Sequence, residues 1–246
     1  MSQNLLNNLT STTSAIKLEF IIKQYEKGNE EPLLVLKGIS LDIPKGQFTS
    51  LMGPSGSGKS TLLQIVGALD TPTSGKVILN GTPIQSMNDQ ALTLFRRRHL
   101  GFIFQFFNLL PTLTAMENVA LPALLDGKKM KILGPKVKHL LSQLGLEHRL
   151  QHFPHQLSGG EMQRVAIARS LINDPLVILA DEPTGNLDSK TGKEVLEMFR
   201  KLTHEKGVTV VMVTHDPNAA TVGDVILKLK DGLIETQEHT REIRLS

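Results

Sequence analysis

The 246-residue chain contains no cysteine, which excludes disulfides, thiolate metal sites and cysteine nucleophiles and leaves oxidising and reducing compartments equally open. Surplus charge is small. With 27 Lys and Arg against 24 Asp and Glu, bulk electrostatics give no argument for a nucleic-acid partner. No window approaches the roughly 18 to 20 uninterrupted apolar residues that a membrane-spanning helix requires. The opening MSQNLLNNLTSTTSAI has neither a basic start nor a sustained apolar stretch, so it argues against a signal peptide and reads as a disordered leader over 1–15. The remainder, 16–246, belongs to a chain that is 40% hydrophobic, enough for a sizeable core, and is expected to be a soluble cytoplasmic domain.

Three short apolar runs each end on a polar or glycine-rich element: QFTSLM meets Gly53, LVILA meets Asp181, and VTVVMV meets Thr214 and His215. Continuous apolar runs suit strands buried on both faces of a parallel sheet, and ligands collect at the carboxyl ends of such strands. This predicts an α/β core with a mainly parallel sheet. The earlier segments IKLEFII, LKGISLDI and KVILNG are short, β-prone and punctuated by Gly or Pro, which predicts an antiparallel β subdomain beside it. Over about 95–165 the pattern turns helical and leucine-rich, with Val137, Leu140, Leu141 and Leu144 at helical spacing, as for an inserted α-helical subdomain.

The stretch GPSGSGKST spans Gly53, Pro54, Ser55, Gly56, Ser57, Gly58, Lys59, Ser60 and Thr61, and matches G-x-x-x-x-G-K-[ST] between an apolar strand and a helical TLLQIVGAL. In a P-loop of this kind successive N–H groups turn inward on phosphates, Lys59 reaches the β- and γ-phosphates, and the Ser60 hydroxyl is placed to ligate Mg²⁺. ATP and Mg²⁺ are the implied ligands. A strand then delivers Asp181, whose carboxylate suits the Mg²⁺ hydration shell, and Glu182, which can orient or deprotonate an attacking water. The bland alternative for this pair is an acidic helix start.

A second glycine-bearing stretch, HQLSGGEMQRVAIARS, has no lysine. Ser158 and Glu161 stand in S-x-x-E spacing, as in a capping box, yet Gly159 and Gly160 leave N–H groups that an anion can approach closely.

Lys59 in the loop, Gln105 in FIFQ, LSGGE at 157–161, ILADEP and VTHD at 213–216 occur in the order found in the ATP-binding subunits of ABC transporters, and nearly the whole chain resembles that family. Within it, RRRHLGFIFQFFNLLPTLTAMENVALP and DEPTGNLD resemble the lipoprotein-releasing and macrolide-exporter branch, with a cell-division ATPase branch sharing PTGNLD. The resemblance implies that Tyr25 stacks on adenine, although the residue by itself reads first as a half-buried strand tyrosine. It implies that Gln105 senses Mg²⁺ and the attacking water, that His215 contacts the γ-phosphate, and that Asp188 touches a partner copy; Asp188 otherwise reads as an N-cap. Ser158, Gly159, Gly160 and Glu161 are then implied to close an ATP held by a second copy of the chain.

The family also implies an integral-membrane permease docking near 105–111, which would place the chain peripherally on the cytoplasmic face of a membrane. Arg96, Arg97 and Arg98 read as a solvated helix end, and Phe102, Phe104, Phe106 and Phe107 as core aromatics or part of that docking patch. Lysines over 127–138 read as solvated or near lipid headgroups. The leading expectation is a transporter ATPase, with cell-division signalling or a soluble non-transport ATPase as alternatives.

Overall fold

The computed structural model describes residues 14–240 except Asn29. The leader expected over 1–15 lies outside the described residues apart from Ser14 and Ala15, which open the first strand instead. That strand, β1 (Ser14–Lys27), pairs antiparallel with β2 (Glu30–Pro44) and with β4 (Ser74–Leu79), and β5 (Thr82–Pro83) completes a four-stranded sheet in the order β2-β1-β4-β5. The antiparallel expectation therefore holds.

The second sheet combines β3 (Phe48–Met52), β6 (Leu100–Ile103), β7 (Val177–Asp181), β8 (Thr209–Val213), β9 (Val225–Lys230) and β10 (Leu233–His239), in the order β10-β9-β3-β8-β7-β6. All neighbours are parallel except β9 and β10. Alternation explains why its strands read as continuous apolar runs. In β7, Ile178 and Ala180 face one buried cluster while Val177 and Leu179 face another; in β8, Val210 and Met212 are set against Val211 and Val213 in the same way. One cluster gathers the helical side, and the other gathers α1 (Lys59–Val66) and the antiparallel sheet.

The helices are α2 (Asp89–His99), α3 (Ala115–Leu125), α4 (Met130–Gln143), α5 (Gly159–Leu171), α6 (Ser189–Lys206) and the short α7 (Pro217–Ala220). The helical stretch read over about 95–165 is interrupted by β6, which pairs with β7 in the core sheet, so the helices α3, α4 and α5 lie beyond that strand. Val137, Leu140 and Leu141 are buried as their spacing requires, and Leu144 packs at the margin of the same cluster.

The three arginines at the end of α2 are not a free solvated terminus. Arg96 Nη1 donates to the Ala68 carbonyl at 2.5 Å, Arg97 Nη1 to the Leu125 carbonyl at 2.6 Å, and Arg98 Nε to Asp126 at 3.0 Å. Each satisfies an acceptor at the end of another helix, so together they fasten α2 between α1 and α3.

Candidate functional site

The chain turns from β3 into α1 through 53–58, and its glycines are required by approach and conformation. A Cβ on Gly53 would collide with the Leu229 carbonyl oxygen, and Gly58 adopts φ 102°, a left-handed value that suits only glycine. Gly58 stands at the N-cap of α1, where no side chain caps the helix and no acidic residue sits in the first turn. The helices α2, α3, α5 and α6 are each capped by a side chain of their own, from Asn88, Thr114, Ser158 and Asp188. The start of α1 thus presents unclaimed N–H groups and the positive end of its dipole, which suits an anion. Pro54, Ser55 and Gly56 form the exposed crest of the loop, and Ser57 is buried beneath it. Lys59 Nζ donates to the Gly53 and Pro54 carbonyls, both at 2.8 Å, which curls the lysine back over the loop. A phosphate would offer that ammonium a charged acceptor in their place.

The carboxyl ends of β7 and β8 bring the acidic pair and the histidine to the same edge. Burial, then the neighbouring Glu182, pushes the Asp181 carboxyl up from its ordinary value; Lys59 and the Ser60 hydroxyl act in the opposite direction. Ser60, Lys59 and Asp181 are therefore mutual neighbours, as the sequence predicts. A half-buried carboxylate with a hydroxyl beside it and incomplete compensation of its charge suits a divalent cation that takes its other ligands from phosphate and water.

Glu182 Oε1 lies 2.8 Å from His215 Nδ1, with the glutamate side chain 17% exposed and the histidine 72%. The histidine thereby orients the carboxylate and leaves its Nε2 toward solvent. Gln105 ends the segment after β6 and lies against the loop following Glu182: its Nε2 would be 3.0 Å from a Cβ on Gly185, and its backbone carbonyl accepts from Asn186 Nδ2 at 2.8 Å.

Tyr25 sits on β1 with its hydroxyl donating to Asp70 Oδ2 at 2.8 Å and the Thr61 side chain beside it. Lys23 Nζ lies 4.7 Å from the ring centroid and donates to Asp70 Oδ1 at 2.6 Å. The Lys23 ammonium thus lies on one face of the Tyr25 ring. Lys23 and Asp70 were not foreseeable, because 47 residues separate them in the chain.

LSGGE is a capping box. Ser158 Oγ accepts from the Glu161 N–H at 3.2 Å, Glu161 Oε2 accepts from the Ser158 N–H at 2.8 Å, and Arg149 Nε donates to Glu161 Oε1 at 2.8 Å. A Cβ on Gly159 would meet Leu187, Asn186 and Phe107, and one on Gly160 would meet Thr191, so both glycines lie against the loop that follows Glu182. Asp188 caps α6, with Oδ1 accepting from the Lys190 and Thr191 N–H groups at 3.0 and 3.1 Å. The capping reading of Ser158 and Asp188 is thus realised, and their side-chain hydrogen bonds stay within their own helix starts.

Behind Gln105 a groove of about 420 Å³ opens between α2, β6, α3 and α5, lined by Leu69, Phe102, Phe104, Leu121 and Leu125 among others. In the segment after Gln105, Phe106 is 73% exposed and Leu110 is also exposed, so the core reading fails for Phe106 while Phe102, Phe104 and Phe107 are half-buried. Arg169 holds the rim by donating to the Phe107 and Asn108 carbonyls at 2.7 and 2.5 Å.

A glycine-rich loop with its lysine, an Asp-Glu strand end and a histidine on the next strand define a P-loop ATPase. The ABC transporter family model matches residues 36–185, and the chain belongs to that family as one of its ATP-binding, ATP-hydrolysing subunits. It is 51% identical to the lipoprotein-releasing system ATP-binding protein LolD of Aquifex aeolicus, over 87% of this chain and 93% of that protein. It is 48% identical to the macrolide export ATP-binding/permease protein MacB of Rhodopirellula baltica, over 89% of this chain but only 32% of that longer protein. Among solved structures, the dimeric post-hydrolysis state of the cassette MJ0796 from Methanocaldococcus jannaschii, bound to ADP and Pi, superposes with a TM-score of 0.85 at 46% identity, over 93% of this chain and 100% of that one.

Proposed function

We propose that this chain is the energy-supplying subunit of a LolD/MacB-type transporter: two copies close around two ATP molecules, and hydrolysis reopens them to drive a membrane permease. The observation that carries the reading is the pairing of an uncapped, lysine-bearing helix start with a second glycine-flanked helix start whose glycines lie against Asn186, Leu187 and Thr191. A two-fold axis turns such complementary half-sites into two shared sites. The dimeric ADP- and Pi-bound relative supports the same arrangement.

In each site the N–H groups of 53–61 and Lys59 receive the phosphates, and Tyr25 offers its ring to adenine. Ser60 and Asp181 would hold Mg²⁺, with Gln105 as its sensor, and the ion would supply charge neutralisation to the phosphate oxygens. Glu182, held by His215, orients the attacking water and takes its proton. The water oxygen bonds to the γ-phosphorus as the bond to the β-phosphate oxygen breaks, and ADP and phosphate leave. His215 Nε2 is free to contact the γ-phosphate. Ser158, Gly159, Gly160 and Glu161 close the partner's ATP, and Asp188 lies at the same junction.

The groove behind Gln105, together with exposed Phe106 and Leu110 in the segment after that residue, is the docking surface for a permease segment. Among the described residues no helix is long and apolar enough to cross a membrane, so membrane attachment runs through that partner on its cytoplasmic face. The MacB and LolD relatives favour export or lipoprotein release over a cell-division role. Purification with the permease tests this directly: Phe106→Asp is expected to release the subunit while leaving its own ATP binding intact, and full retention of the complex would contradict the docking assignment.

A further inference from the structure

We infer that Gln163 is a positioning residue that carries the state of the α5 start to the catalytic Glu182 of the same chain. The inference deepens the shared-site reading and rests on it.

Gln163 is fully buried, one turn past Gly159 and Gly160. Its Nε2 donates to the Pro183 carbonyl at 2.6 Å, while its Oε1 is buried without a partner. A carbonyl only accepts, so chemistry fixes which end of the amide points to Pro183. An unmatched buried oxygen is unfavourable, and an apolar side chain of the same length would fill the space without it. The amide therefore matters through the one bond that it makes.

That bond holds a strained backbone. Glu182, immediately before Pro183, has φ 45°, a left-handed value that costs a non-glycine residue energy. Two other hydrogen bonds keep it there, from the Glu182 N–H to the Val213 carbonyl and from the Gly185 N–H to the Glu182 carbonyl, both at 3.0 Å. The Gln163 amide is the third restraint, and it alone comes from α5.

The first turn of α5 is seated on the same loop. A Cβ on Gly160 would collide with Thr191 Cγ2, and one on Gly159 would lie 3.7 Å from Leu187 Cδ2. Packing this close lets neither the helix start nor 182–191 shift alone. In a shared-site dimer the α5 start faces ATP held by the partner copy, whereas Glu182 acts on ATP held by its own loop. Gln163 connects the two within one chain, so occupancy of one site bears on the geometry of the other.

The test is Gln163→Met in the full chain, which keeps length and apolar packing but removes the amide. Turnover is expected to fall about ten-fold or more, as misplacement of a catalytic group predicts. KM for ATP, binding of ATP by the monomer, and ATP-driven dimerisation in a Glu182→Gln background are expected to stay unchanged. If Gln163→Met does not fold, Gln163→Asn withdraws the amide by one methylene and should give the same split. Unchanged turnover, or turnover lost in step with dimerisation, overturns the inference. Failure of Glu182→Gln itself to dimerise on ATP, with Gln163 intact, overturns the shared-site reading beneath it.

Discussion

The starts of α1 and α5 are both glycine-flanked helix N-termini, yet they are satisfied in opposite ways. At α1 no side chain caps the helix, and Lys59 turns back on the carbonyls of its own loop. At α5 the Glu161 N–H is taken by Ser158, and a carboxylate already sits in the first turn, tied to Arg149. An uncapped end with a lysine can receive a polyphosphate by itself; a capped end with a glutamate cannot, and suits the outer face of a phosphate neutralised elsewhere. Sharing one ATP between two such ends from two chains is the arrangement that uses both.

The largest effect should come from the catalytic carboxylate that both ends serve. Glu182→Gln should lower phosphate release about 10²- to 10⁴-fold, the usual contribution of a general base, while ATP binding measured by fluorescence titration persists. Lys59→Ala strikes only the α1 end. Removing one charge-assisted bond of about 1.5–3 kcal/mol should weaken monomer binding of ATP by roughly ten- to hundred-fold. Ser158→Arg strikes only the α5 end, and should abolish ATP-driven dimerisation of the Glu182→Gln protein in sizing chromatography while sparing monomer binding.

Smaller effects separate capping from ligand binding. In nucleotide-free protein Ser158→Ala should cost about 1 kcal/mol of stability through the lost cap, a fall of about 2–4 °C in Tm by calorimetry. Gly58→Ala removes no cap, and its cost in stability should come instead from the left-handed φ and from the Leu36 side chain that a Cβ would meet. Asp181→Asn should act the other way. Burial raises the Asp181 pKa, so the folded state favours the protonated form, and its ionised charge is unfavourable above the folded pKa. The amide should therefore raise Tm slightly at neutral pH. That gain should fade as pH falls through the carboxylate range, where Asp181 itself becomes protonated. A Tm lowered by Asp181→Asn at neutral pH would show that the carboxylate is not held against its charge.

What was legible in the sequence was local. The runs at β3, β7 and β8 announce themselves because both faces are buried, and the S-x-x-E spacing gives the α5 cap within four residues. The edge strand β10, LIETQEH, carries mostly exposed polar side chains and offers no such apolar run. Contacts between distant segments left no trace either: Arg97 reaches Leu125, Arg149 reaches Glu161, Tyr25 reaches Asp70, and Gln163 reaches Pro183. Arginines at a helix end look solvated until the fold brings carbonyls to them. The family pattern assigned Gln105 and His215; the fold supplies their neighbours, Gly185 with Asn186 and Glu182.

Mixing tests the shared site most directly. A protein carrying Lys59→Ala and a second carrying Ser158→Arg should each be nearly inactive alone, since every site in either homodimer lacks one half. In a mixture, the heterodimer contains one site with an intact Lys59 from one copy and an intact Ser158 from the other. Recovery of ATP hydrolysis to a measurable fraction of wild type is the predicted result. A mixture as inactive as its parents, with heterodimer formation demonstrated, would contradict the claim that the two helix starts meet across two chains.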